Sequence, residues 1–103
     1  MAELNLEQQL NTRFLNDCNE VQKKGYTPHL FRQMLANHGA VETVNRLLST
    51  REYSEGFTRL WELNVLHLSM EAIILQEPYC QLFTSEQLQI ARTRLTRLNY
   101  QFD

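Results

Sequence analysis

The stretch Ser54-Glu-Gly-Phe-Thr-Arg-Leu-Trp-Glu-Leu63 decides how this chain is read. It opens on a hydroxyl able to accept a backbone N–H at a helix start. Phe57, Leu60 and Trp61 then recur at the three- and four-residue spacing of one helix face. Asn64 follows, a residue that tolerates the left-handed backbone with which helices end. Directly beyond lies the densest apolar run, Val65, Leu66, Leu68, Met70, Ile73, Ile74 and Leu75. Ser69 interrupts it as a second helix-start signal with Glu71 in the first turn, and Leu68 and Ile73 have the offset of a hydrophobic staple across that cap. A helix this apolar on most sides belongs at the centre of a core.

Upstream, Asn5 and Gln8 have the spacing of a capping box, which predicts a helix over residues 6–24. Leu6, Leu10, Phe14, Cys18 and Val21 form its inner face, Lys23 and Lys24 suit its C-terminal dipole, and Gly25 stops it. Thr27-Pro28 reads as cap and first helical residue of a second helix, with Leu30, Phe31, Met34 and Leu35 buried and Gly39 as its end. A third runs through Val41, Val44, Leu47 and Leu48. Residues 50–54 form the longest polar connection. Pro78 stops the central helix, a turn covers Tyr79–Phe83, and Thr84 with Gln87 caps the last helix to about Asn99. Its seam is Leu88, Ala91, Leu95 and Leu98, and Tyr100 and Phe102 are expected to fold back on the body.

No stretch alternates as a strand would, and three Gly and two Pro provide few turns. The expectation is therefore a single all-α domain spanning residues 1–103, a compact bundle of five to six helices. The start lacks the basic and apolar regions of a secretory signal, and no apolar run reaches the ~20 residues of a membrane span. Cys18 and Cys80 follow no metal-ligand spacing, so two reduced thiols in a cytoplasmic protein are expected.

Chemistry-bearing patterns are scarce. His29, His38 and His67 stand apart from one another and from both cysteines, so no metal site is expected. Neither cysteine sits beside a base in a strained turn, and each glycine stands alone where a phosphate cradle needs several. No catalytic residue, cofactor or small-molecule substrate is therefore assigned, and an enzyme is not expected. Arg92, Arg94 and Arg97 make the last helix locally basic, which supports an alternative as an accessory nucleic-acid-associated module. Against it, Arg92 lies about 200° around the helix from Arg94, at 100° per residue. The sequence pI is 5.9, where a dedicated nucleic-acid reader is usually basic.

Protein recognition remains. Net charge is −2, and residues 60–91 carry four glutamates and no Lys or Arg. Aromatic residues beside carboxylates make effective contacts with basic partners. Glu52, Tyr53, Glu55, Glu62, Glu71, Glu77 and Tyr79 are the pool from which partner-binding contacts are expected, although both tyrosines also suit a structural role at the core edge.

Gly39-Ala-Val-Glu-Thr-Val, Ser54-Glu-Gly-Phe-Thr-Arg-Leu-Trp-Glu, Leu68-Ser-Met-Glu-Ala, Leu82-Phe-Thr and Ala91-Arg carry a resemblance spanning residues 10–98. The chain resembles a group of small bacterial helical proteins. Some of that group are immunity proteins of contact-dependent growth inhibition and related polymorphic-toxin systems. The shared positions are glycines, caps and core residues. The resemblance implies a cytoplasmic protein that neutralises a cognate toxin, commonly a nuclease, by covering its active site. It assigns no catalytic or binding residue, because immunity surfaces follow the toxin each one meets.

Overall fold

The computed structural model describes residues 5–50 and 55–101, with Glu55 described by its backbone alone. The protein is all-α, and no strand occurs among the described residues. Helix α1 spans Leu6–Lys23, α2 His29–Leu48, α3 Glu55–Glu62, α4 Met70–Ile74 and α5 Ser85–Arg97. Short 3-10 turns, Leu66–Leu68 and Tyr79–Leu82, flank α4.

Local chemistry explains most of the helix ends. Asn5 and Gln8 close a reciprocal capping box on α1, each side chain bonding the other's backbone N–H at 2.8–2.9 Å. Thr84 and Gln87 do the same for α5. Ser69 caps α4 by accepting from the Ala72 N–H at 3.1 Å. Asn64 takes the expected left-handed conformation after α3, with φ of 62°. Helix α2 starts one residue later than Thr27-Pro28 suggests. Pro28 sits at the cap position with φ −81° and ψ 72°, and no side chain caps that end.

At Gly39 the backbone adopts φ 81°, ψ 172°, so α2 is two helical halves meeting at a sharp bend. The second half begins with free N–H groups, and α1 supplies their partner: Glu7 Oε2 accepts from the Val41 N–H at 2.9 Å. A carboxylate at a helix start is favoured both by the hydrogen bond and by the macrodipole. A Cβ built on Gly39 would lie 3.5 Å from that oxygen, an ordinary contact, so the positive φ is what selects glycine. Glu7→Ala should lower stability by about 1 kcal/mol, read as a shift in the urea midpoint with an unchanged m-value.

The core has two lobes. Leu10, Phe14, Leu35, Ala40, Val44, Leu48, Met70, Ile73, Ile74 and Ala91 form the larger, and Phe31, Tyr79 and Leu82 pack on it. Phe57, Leu66, Ala72 and Leu95 form the smaller, with Leu60, Leu98 and Tyr100 against it. All five residues of α4 are buried, which places this short helix where its apolar sequence predicts. Fully burying an aliphatic side chain contributes about 1.5–3 kcal/mol, so the two isoleucines of α4 are major contributors.

The expected core residue Leu30 points outward instead, and the large Trp61 is half-exposed. Leu30 is 69% exposed and Trp61 49%. Leu30 and Phe31 are neighbours about 100° apart on one helix, and only Phe31 turns in, edge-on to Phe14 at 5.2 Å. On α3, Phe57 is buried and Leu60 packs on the smaller lobe, leaving the large Trp61 at the edge of the apolar face.

Among the described residues one ion pair is buried on both sides. Arg94 Nη1 is 3.3 Å from Glu71 Oε2, and both side chains are under one-tenth exposed. Arg94 also donates to the carbonyls of Leu47 at 3.2 Å, Leu48 at 3.5 Å and Thr50 at 2.6 Å. Leu47 and Leu48 are the last residues of α2, whose carbonyls the helix end leaves without helical partners, and Thr50 lies two residues beyond. One guanidinium from α5 thus closes α2, and α4 supplies the charge that neutralises it.

Candidate functional site: an apolar cleft over the buried ion pair

Helices α1, α3 and the first half of α2 do not close completely over α4. Between them lies a half-open cleft of about 160 Å³. Phe14, Cys18 and Val21 contribute from α1, and Leu30, Phe31 and Met34 from α2. Gly56, Phe57 and Leu60 form the opposite wall, while Ser69, Met70, Glu71 and Arg94 are deep lining residues. The spacing argument explains the walls. Residues 14, 18 and 21 share one face of α1, and residues 57 and 60 share one face of α3. Tyr26, from the connection after Gly25, stands at the same cleft, with the Arg59 guanidinium carbon 5.9 Å from its ring centre. That cation–π contact ties α3 to the α1–α2 connection.

The charges in the lining are matched. Asp17 pairs with Arg13 at 3.0 Å, and Arg13 reaches on to Gln76 at 3.4 Å. Burial pushes the Asp17 carboxyl up from its ordinary value, and Arg13 opposes the shift. Burial likewise raises the Glu71 carboxyl, against its own backbone N–H and Arg94. The Cys18 thiol is pushed up by burial, with Arg32 opposing. A raised thiol pKa means less thiolate, so this site does not activate Cys18 as a nucleophile. Both cysteines are free.

The sequence-derived contact pool is not assembled in one place. Glu52 and Tyr53 lie outside the described residues, and Glu55 contributes only the backbone that begins α3. Glu62 ends α3 half-exposed, 3.9 Å from Arg59. Glu77 is exposed and accepts from Gln81 Nε2 at 3.3 Å, while Tyr79 is half-buried against the larger core lobe. Glu71 requires a correction. At 3% exposure and paired with Arg94 it cannot meet a partner, because a glutamate in a first turn can face inward when a buried guanidinium awaits it. Of the pool members whose side chains are described, Glu71 alone lines the cleft. The same pair removes Arg94 from any phosphate-binding face, leaving Arg92 and Arg97 exposed on α5.

Sequence reasoning passed over Asp17, Tyr26 and the outward side of Leu30. A signal existed for Leu30, since Leu30 and Phe31 lie about 100° apart and a helix with one buried face turns only one of them fully inward. None existed for Tyr26, which reaches the cleft only through the path of its connection.

A shallower hollow of about 270 Å³ is lined by Trp61, Asn64, Leu66, His67, Leu98, Asn99, Tyr100 and Gln101. Among the described residues no group of three or more His, Cys, Asp or Glu side chains is placed to hold a metal ion. Among the same residues no helix is long and apolar enough to cross a membrane. Comparison with protein-family models, curated proteins and solved structures gives no match.

Proposed function

We propose that this chain is an immunity-type binding protein that neutralises a cognate toxin, a basic nuclease domain, by covering its active site. The observation that carries the reading is Trp61, half-exposed at the edge of α3 with the half-exposed carboxylate of Glu62 beside it. A tryptophan buries much area at little entropic cost and leads the residue types that dominate interface energetics. Glu77 adds a further exposed carboxylate. Nuclease clefts are basic because their substrate is polyanionic. An exposed carboxylate beside an aromatic anchor, with further acidic charge elsewhere on the surface, would speed encounter with such a cleft and slow release once desolvated. An interface of about 1,600 Å² would suffice.

The test is to mix the protein with the C-terminal domain of a toxin encoded beside it and measure complex formation and residual nuclease activity. Tight association with loss of activity is expected. Trp61→Ala should weaken binding about 30-fold, the equivalent of about 2 kcal/mol. The same change should cost the fold only about 1 kcal/mol, since half of the side chain is already in water. Failure of the intact protein to bind or protect overturns the reading. A Trp61→Ala variant that binds as tightly as the parent removes α3 from the interface.

A further inference from the structure

We propose that the cleft between α1, α2 and α3 is a binding site for a small uncharged aromatic molecule about the size of phenol or indole. Its volume of about 160 Å³ is the first argument. Apolar cavities of roughly 150 Å³ in other proteins stay dry and take up benzene. The second is the character of the walls. Phe14 and Phe31 meet edge to face at an interplanar angle of 75°, with Tyr26 and Phe57 also in the lining. A flat ring can stack or meet these rings edge-on, and the thioethers of Met34 and Met70 add polarizable contacts.

Charge matching selects against ionic ligands. Asp17 is held by Arg13 and Glu71 by Arg94, whose guanidinium is further occupied by three carbonyls. An anion would meet two lining carboxylates, and an ammonium would have to displace Arg13 from Asp17. An uncharged ring needs neither, and loses only water from its faces on binding. Leu30, 69% exposed, lies at the cleft and leaves apolar surface open to an arriving ligand.

The test is a titration of the full chain with phenol and with indole, followed by NMR of the Met and aromatic side chains. Saturable shifts at Met34, Met70 and Tyr26 are expected, with Leu98 and Tyr100 unaffected. Leu60→Trp fills the cleft from the α3 wall and should weaken binding at least about tenfold, or about 1.4 kcal/mol, with the remaining spectrum unchanged. In case that variant does not fold, a second measurement uses Cys80→Ser, which leaves Cys18 as the sole thiol. Cys18 is buried, so its alkylation reports opening of the cleft, and saturating indole should slow it several-fold by stabilising the closed form. Absence of saturable shifts overturns the proposal, as do shifts centred on the Trp61 hollow or a Cys18 rate indifferent to indole. Equal affinity for benzoate or benzylamine overturns the uncharged class. A tryptophan-containing peptide that displaces indole at far lower concentration assigns the cleft to a polypeptide side chain and overturns the small-molecule site. These outcomes do not depend on toxin binding.

Discussion

Arg94→Met is expected to destabilise the protein by about 3–5 kcal/mol at neutral pH, because it leaves Glu71 buried without its counter-charge. For a domain of this size that corresponds to a fall in Tm of roughly 15–30 °C. The carbonyls of Leu48 and Thr50 lose the guanidinium in the same step, while that of Leu47 keeps the Thr50 hydroxyl at 2.9 Å. Replacing both partners with apolar residues, Glu71→Leu with Arg94→Met, should recover part of the loss, since no lone charge then remains inside. Recovery should be incomplete, because the carbonyls of Leu48 and Thr50 still lack the guanidinium. Full recovery would show that the carbonyl contacts contribute nothing.

The pH dependence has a definite sign. Burial holds the Glu71 carboxyl above the ordinary glutamate value of 4.5, so the folded protein binds that proton more readily than the unfolded chain does. The associated stability is fully present below pH 4.5 and is lost as pH rises through the folded value. Removing Arg94 takes away a lowering influence and raises the carboxyl further. The deficit of Arg94→Met relative to the parent should therefore be smallest in acid and grow toward neutral pH. A deficit independent of pH would mean that the variant suffers only from the lost carbonyl bonds.

Ile73→Ala is expected to cost about 2–5 kcal/mol, the range for deleting a fully buried branched side chain whose surroundings collapse only partly. Ile73 is 0% exposed at the middle of α4. Leu30→Ala, chemically similar, should change stability by only about 0.5 kcal/mol, since Leu30 is 69% exposed. Paired urea melts measure the contrast directly. Equal losses at the two positions would contradict the orientation of α2.

What could be seen in the sequence was what is decided locally. The boxes at Asn5–Gln8 and Thr84–Gln87, the cap at Ser69 and the reversal at Asn64 each involve residues three or four apart or a single backbone conformation. The all-helical class followed from those signals and the apolar period between them. What stayed hidden was pairing at a distance. Glu7 and Val41 are 34 positions apart, Glu71 and Arg94 are 23 apart, and nothing in local pattern announces either bond. Glu71 therefore looked like one more surface carboxylate. The cleft was hidden for the same reason: its walls come from three helices whose faces were legible but whose spacing was not. Leu30 was expected inside, and it and the half-exposed Trp61 both mark surfaces now open to test.

The clasp at residue 94 also bears on how the chain is made. Thr50 and Arg94 are separated by 44 positions. During synthesis the carbonyls at the end of α2 therefore leave the ribosome well before the side chain that will satisfy them. Until then Glu71 has no counter-charge and α4 no fixed seat. The centre of the molecule cannot set progressively from the N-terminus; it must wait for a late long-range closure, and a nascent chain halted before that point would present its unfinished interior to chaperones and proteases.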